Sequence, residues 1–319
     1  MLNPSRLIRF KPDAEHRPGD QPNTFRTHSA IDDRDDSPLS RHSQRRIGAI
    51  MIDLGLIDIE QAGRILEVQR DRGGRFGDIA VSMGYANAAQ LALALARQRG
   101  VPGLLPGDLS RLSEALRAVM DTPKVLQAYS DARTQLELRW FDDTPERRLL
   151  AVISDAPSEG RTLTTAAIGL LLAMTGRRVL LIDACVEAPS LASHFGHMSA
   201  EWSLVDALNR PGELADAPAS LEFLDLTVLS AAPGDLPPDI IPSRAFAGVM
   251  TAAASHWDAV LVDTPAWSVS RNALAVAVRC SGALSIARVG RSRLSNLEGM
   301  RRDLADAGVE RVGAMANLF

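Results

Sequence analysis

Six short apolar runs recur between residues 148 and 319: LLAVIS (149 to 154), RVLLID (178 to 183), LTVLSA (226 to 231), AVLVDT (259 to 264), GALSIARV (282 to 289) and VGAMANLF (312 to 319). Each is nearly continuous in Val, Ile, Leu and Ala and is bounded by Gly, Pro, Asp or charge. Strands buried on both faces have that composition, because helices cover both sides of a parallel sheet. Helical stretches such as Thr162 to Gly176 lie between the runs. The pattern predicts an α/β fold, a doubly wound, mostly parallel sheet of the P-loop type with right-handed crossovers. Ligands of such sheets sit beyond the carboxyl ends of the strands, so those positions are read first.

Three strand ends carry chemistry. After the first run comes Ser154-Asp155-Ala156-Pro157-Ser158-Glu159-Gly160-Arg161-Thr162, leading into a helix. Amide N–H groups at a helix start bind phosphate, Gly160 permits close approach, and the Thr162 hydroxyl can hold Mg²⁺. Ser158, Glu159, Gly160, Arg161 and Thr162 are therefore the predicted phosphate cradle. The second run ends in Asp183 and the fourth in Asp263. Asp263 suits a Mg²⁺ contact, and Asp183 suits either a second metal-facing acid or the base for an attacking hydroxyl. No lysine follows Lys124, so Arg161 alone is left at the usual lysine position of the loop. Arginine keeps the charge but is longer and planar, which favours binding over transition-state geometry.

The amino-terminal part is organised differently. Residues 1 to 42 hold five prolines, three histidines and the charged cluster Asp32 to Asp36 without an apolar period, and read as a disordered tail. Between residues 43 and 106 the chain repeats itself. RIGAIMIDLGLIDIEQAGRILEVQ (46 to 69) matches RFGDIAVSMGYANAAQLALALARQ (75 to 98), with Arg46/Arg75, Gly48/Gly77, Gly55/Gly84, Leu66/Leu95 and Gln69/Gln98 in register. Each copy reads as a short helix ending near the second Gly, a loop and a longer amphipathic helix, two copies making one small helical domain. Residues 107 to 147 contain two helical periods broken at Asp121-Thr122-Pro123 and read as a connector. The main α/β domain follows over residues 148 to 319.

Two resemblances attach to these motifs. The repeat is similar to the amino-terminal domain of MshE-type secretion and pilus ATPases, with pattern RLGxxLxxxGL…LxxxLxxQ given twice. The resemblance implies cyclic di-GMP binding by Arg46, Gly48, Gln69, Arg75, Gly77 and Gln98. Arginine can stack on guanine or fork onto phosphate, Gly admits the ligand to the backbone, and Gln offers donor and acceptor together. Asp78 could accept from a guanine edge, whereas Ala49 in the first copy could not; plain docking helices are the alternative reading.

Residues 124 to 319 resemble the CpsD/CapB-type bacterial tyrosine kinases of capsule and exopolysaccharide systems, and among them the EpsG type, relatives of the ParA/MinD ATPases. The shared features are the S-x-x-P-x-E-G loop, LLIDA with Pro189 and His194-Phe195-Gly196, the segment LPPDIIPSRAF (236 to 246), WDAVLVDTP (257 to 265) and a last strand ending in Asn317. The resemblance implies ATP and Mg²⁺ as cofactors, with Asn317 on the adenine, Thr162 and Asp263 on the metal, and Asp183, Asp263 and Arg161 in catalysis. It also implies a membrane chain-length determinant of the Wzz type as partner. Departures accompany it: Cys185 stands where the family commonly has a second Asp. Gln127 and Ser130 replace two of three residues of the family's oligomerisation helix, leaving Arg133, so self-association stays open. Tyr85 and Tyr129 are the only tyrosines, so no tyrosine-rich tail is expected. His194 reads as a packing or hydrogen-bonding residue because no nucleophile partner is apparent in the sequence.

A net charge of −4 argues against a protein that coats nucleic-acid polymers. Two cysteines suggest a reducing compartment, and no apolar run approaches the ~20 residues of a membrane span. The expectation is a cytoplasmic, ATP-binding, kinase-like regulator of polysaccharide chain length, brought to the inner membrane by its partner. The alternatives are a catalytically degenerate adaptor and a ParA/MinD-like ATPase.

Overall fold

The computed structural model describes residues 9–11, 47–86, 91, 94, 111–142, 144–196, 202–221 and 224–317. In chain order the elements are β1 (Arg9–Lys11), α1 (Ile47–Asp53), α2 (Ile59–Arg72), α3 (Phe76–Ser82), α4 (Glu114–Asp121), α5 (Pro123–Arg139), β2 (Leu149–Ser154), α6 (Arg161–Ala173), β3 (Val179–Asp183), α7 (Leu204–Asn209), β4 (Leu226–Leu229), α8 (Arg244–His256), β5 (Ala259–Asp263), α9 (Asn272–Cys280), β6 (Gly282–Arg288), α10 (Leu294–Asp306) and β7 (Glu310–Asn317). They fall into two units, one holding α1 to α3 and the other holding β1 with everything from α4 onward.

The larger unit is a seven-stranded sheet in the order β1-β7-β6-β2-β5-β3-β4. Six strands are parallel and β1 runs antiparallel along the outer edge of β7. All residues of β2, β3, β4 and β5 are buried, as their unbroken apolar composition requires. Helix α6 lies against the sheet with every residue from Thr164 to Ala173 buried. It approaches closely at Gly169, where a methyl group would stand 2.5 Å from Leu181 Cδ2.

Two readings of the sequence change here. Arg9–Lys11, within the stretch expected to be disordered, forms β1, pairing Arg9 with Ala316 and Lys11 with Ala314. Three residues carry no period that a sequence could show. The helices expected as a connector, α4 and α5, belong to the sheet unit. Tyr129, Ala132 and Leu136 of α5 are buried, and the Tyr129 hydroxyl lies 3.5 Å from Thr164 Oγ1 of α6. Burial pushes that phenol up to about 12. Trp140, just beyond α5, donates from Nε1 to the Leu149 carbonyl at 3.0 Å and fills the space left by Gly282.

The smaller unit reproduces the repeat in three dimensions. Its buried residues pair at the repeat offset: Ile50 with Ile79, Met51 with Ala80, Ile57 with Ala86, and Ile65 with Ala94. The turns repeat too, since Leu54 N bonds Ile50 O at 3.0 Å as Met83 N bonds Ile79 O at 2.9 Å. Gly55 and Gly84, at φ 63° and 71°, end the two short helices as expected. Helix α2 is fixed at its start by a reciprocal cap between Asp58 and Gln61. The second long helix is described only at Leu91 and Ala94.

Candidate functional site

The β2–α6 loop takes its shape from two left-handed residues, Gly160 (φ 94°) and Ser158 (φ 62°). Gly160 is the residue preceding α6 and provides no side-chain cap, so the first amides of the helix are left for another acceptor. Ser158 adopts a backbone that L-residues pay about 1 kcal/mol to enter, and such strain is characteristic of ligand-binding loops.

The loop is held from three neighbouring segments. From the β5–α9 loop, Ser268 Oγ donates to Asp155 O at 2.7 Å. From the β6–α10 region, Asn296 Nδ2 reaches Asp155 Oδ2 at 2.8 Å, and Ser292 Oγ donates to Glu159 Oε1. From β7, Asn317 Nδ2 donates to the Glu159 carbonyl at 2.6 Å. Glu159 is fully buried, and its other carboxylate oxygen accepts from Ala156 N at 2.9 Å. Glu159 and Asn317 therefore shape the loop. The Asn317 Oδ1 atom is buried without a partner among the described residues.

The predicted cation of the loop turns inward. Arg161 Nε donates to Thr264 O at 2.9 Å, and Nη1 donates to Ala156 O at 3.0 Å and to Ser154 Oγ. Three of its five N–H bonds thus go to the protein itself, fastening the loop to the end of β5. The two residues expected to meet a metal are brought together: Thr162 Oγ1 donates to Asp263 Oδ2 at 2.6 Å, while Asp263 Oδ1 is buried with no partner among the described residues. Burial, and next the Asp183 charge, push the Asp263 carboxyl up to about 7. A divalent cation would relieve both effects, and one hydroxyl plus one carboxylate is a fitting protein contribution to Mg²⁺ held largely by phosphate and water.

Asp183 lies beside Asp263 in the β3/β5 register. Its Oδ1 accepts from Cys185 N at 3.0 Å, and its Oδ2 accepts from Ser190 N at 2.8 Å and Leu191 N at 2.9 Å, with Ser230 Oγ at 3.4 Å. These donors commit the carboxylate to holding the 184–191 turn, a geometry that does not suit the base role expected from sequence. Burial raises its carboxyl above the usual range despite these amides. Cys185 is pushed up to about 11 by burial and by the two aspartates, so it stands there as a neutral thiol. His194 does have a hydroxyl partner, Ser113 Oγ at 2.8 Å from Nδ1, but the same Oγ accepts from Leu116 N and caps α4.

Sequence reasoning missed Arg288, Ser292 and Asn296. Arg288 ends β6, and its Nη1 lies 3.3 Å from Ser158 O. Asking what stands at the carboxyl end of the fifth run, as was asked of the others, finds it.

In the smaller unit a groove of about 800 Å³ is lined by Gly48, Gln69, Arg75 and Gly77, four of the six residues expected to meet cyclic di-GMP, together with Leu66 and Asp78. Arg46 and Gln98 lie outside the described residues. The glycines serve packing here: a methyl at Gly48 would stand 2.9 Å from the Phe76 ring, and one at Gly77 would stand 2.2 Å from Leu91 Cδ1. Gln69 Nε2 donates to Gly74 O at 2.9 Å, and Arg75 is exposed.

No family model matches the chain. The chain is similar to bacterial tyrosine-protein kinases and to a polysaccharide transport protein. Tyrosine-protein kinase CpsD of Streptococcus agalactiae is 22% identical over 212 residues, 66% of this chain and 90% of that protein. The putative tyrosine-protein kinase EpsB of Ralstonia solanacearum is 28% identical over 63% of this chain, which spans 26% of it. The succinoglycan biosynthesis transport protein ExoP of Rhizobium meliloti is 29% identical over 55% of this chain, which spans 23% of it. In fold the chain is similar to the chimerical protein CapA2B2 (TM-score 0.55, 19% identity, 65% of this chain and 91% of that one). It is likewise similar to the kinase domain of Escherichia coli tyrosine kinase ETK (TM-score 0.54, 24% identity, 62% and 78%). Among the described residues no helix is long and apolar enough to cross a membrane.

Proposed function

We propose that this chain is a Mg²⁺-nucleotide-binding protein of bacterial polysaccharide assembly, kinase-like in its sheet unit and responsive to cyclic di-GMP through its repeat unit. The observation that carries the first part is the Thr162–Asp263 pair at the start of α6, with Asp263 Oδ1 buried and unpartnered among the described residues. ATP phosphates would take the uncapped amides of α6, and Mg²⁺ would take Thr162 and Asp263. When bound, the metal supplies charge neutralisation at the transferring phosphoryl group. Titration calorimetry with Mg²⁺-ATP tests this: saturable binding by the wild type that Asp263→Ala abolishes is the expected result, and no binding by the wild type overturns it.

A second reading is favoured by specific geometry. With Arg161 bonded inward and Asp183 saturated by amides, neither group is set to act on a phosphoryl acceptor, which suits a catalytically degenerate adaptor. The kinase names of its homologues support the enzyme. Transfer of ³²P from ATP to a tyrosine-containing partner peptide separates the two. The partner we propose is a Wzz-type membrane chain-length determinant, whose cytoplasmic part would recruit the chain to the inner membrane.

For the repeat unit, the support is that a ligand of two identical halves suits a segment repeated twice in the sequence, and that Arg75 and Gln69 line one groove. Cyclic di-GMP affinity should fall at least about tenfold, ~1.4 kcal/mol, in Arg75→Ala. Unchanged affinity would sink this assignment and leave the groove as a docking surface.

A further inference from the structure

We propose that Arg288, at the end of β6, supplies the phosphate-facing positive charge that the β2–α6 loop lacks. This rests on the nucleotide-binding reading above and assigns the site a cation from outside its motif.

A polyphosphate held on backbone amides needs a side-chain cation to balance charge that helix-start dipoles only partly offset. After Lys124 that cation must be an arginine. Arg161 stands at the motif position, but its guanidinium is fastened to Thr264 O, Ala156 O and Ser154 Oγ, and turning it outward would cost three bonds that hold the loop. Arg288 approaches from the other side. β6 runs parallel to β2 with Ile286 opposite Ser154, so residue 288 arrives beside the loop just past the strand ends. Its backbone is fixed there, since Arg288 N donates to Ser292 Oγ at 2.7 Å and Ser292 in turn holds Glu159. Its guanidinium reaches the middle of the loop, Nη1 lying 3.3 Å from the carbonyl of Ser158.

That contact is long for a hydrogen bond to a neutral carbonyl. A charged phosphate oxygen forms a stronger bond with a guanidinium, at roughly 2.7 to 2.9 Å. Ser158 is also the residue held at φ 62°, so the arginine meets the loop at its strained point. Arg291 and Arg293 are both exposed on the segment that follows. Arg161 and Arg288 thus divide the work of one lysine, the first fastening the loop and the second meeting the phosphate.

The experiment titrates the full chain with Mg²⁺-ATP and with adenosine, comparing wild type, Arg288→Ala and Arg288→Lys, and follows tryptophan fluorescence on heating without ligand. Arg288→Ala should lose about tenfold or more in ATP affinity while adenosine binding changes less than about twofold. Arg288→Lys should recover part of the ATP affinity, because it restores charge without the fork. An ATP-to-adenosine preference equal to wild type in Arg288→Ala overturns the proposal. So does a parallel loss for both ligands with a lowered transition, which would make Arg288 a brace of the loop only. Wild-type protein that binds adenosine but gains nothing from the phosphates overturns it as well. Wild-type protein that binds neither ligand overturns the nucleotide reading itself and this proposal with it.

Discussion

Replacing Asp263 by Asn should stabilise the ligand-free protein at pH 8 and remove a pH dependence. The Asp263 carboxyl is buried, one oxygen bonded to Thr162 and the other unpartnered among the described residues, with the Asp183 carboxylate beside it. Its folded value of about 7 lies some three units above the ordinary 3.8. Between pH 4 and pH 7 the folded state therefore keeps a proton that the unfolded chain has released, so stability falls as pH rises. Above pH 7 both states are ionised and the cost is complete. At 1.36 kcal/mol per unit the ceiling is about 4 kcal/mol, shared in part with Asp183 because the two titrate as a pair. For a unit of this size about 2 to 4 °C accompanies each kcal/mol, so a gain of roughly 5 to 15 °C is expected at pH 8. All four tryptophans, Trp140, Trp202, Trp257 and Trp267, lie in the sheet unit, so their fluorescence follows its unfolding specifically. Melting curves from pH 4.5 to 8 without Mg²⁺ should slope downward for the wild type and lie flatter for Asp263→Asn. An Asn variant that melts no higher than wild type at pH 8, with the same slope, refutes the account of a strained, uncompensated carboxylate.

Three further outcomes can be checked in the same way. Ser158→Gly should stabilise the sheet unit by up to about 1 kcal/mol in urea unfolding, because glycine enters φ 62° without the penalty serine bears; a destabilised variant would show that the Ser158 side chain matters more than its backbone. His194 is held below its ordinary value by burial, so the unfolded chain binds the proton more readily and stability is lost as pH falls below about 6.5. In an Asp263→Asn background, where the opposing slope is removed, His194→Gln should flatten that acid-side decline, and an unchanged curve counts against it. Gly77→Ala should cost the repeat unit about 1 to 3 kcal/mol by pressing on Leu91, and Leu91→Ala should recover most of it by helical circular dichroism; no recovery points to another role for the glycine.

The sheet was legible because its strands are buried on both faces, so their whole length had to be apolar. LLAVIS is β2 residue for residue, and the other runs differ from their strands only at the ends. The repeat was legible because its core obeys the same offset as its sequence. β1 was not, since a three-residue edge strand is defined by its partner. Nor did the amphipathic pattern of α5 say what its apolar face would meet, which proved to be α6. At the site, position was readable and direction was not. The sequence locates Arg161, Asp183 and Asn317 at the sheet's carboxyl edge, but whether each side chain faces a ligand or a backbone depends on acceptors such as Thr264 O and donors such as Leu191 N, far away along the chain.

Because β1 lies before the repeat unit and pairs with β7 after it, the sheet unit is discontinuous along the chain, and the repeat unit is an insertion within it. Cutting the protein at residue 105 would not cleanly separate the repeat unit from the sheet unit. It would strip β1 and leave the outer edge of β7, from Ala314 to Ala316, with unpaired amides and carbonyls, an invitation to intermolecular pairing. β7 also ends in Asn317, which grips the phosphate loop. A truncated protein that aggregated or bound ATP poorly would then mimic an effect of losing the repeat unit. An internal excision that keeps residues 1 to 13 and joins them to residue 106 through a flexible linker isolates the repeat unit's contribution from that of a missing strand.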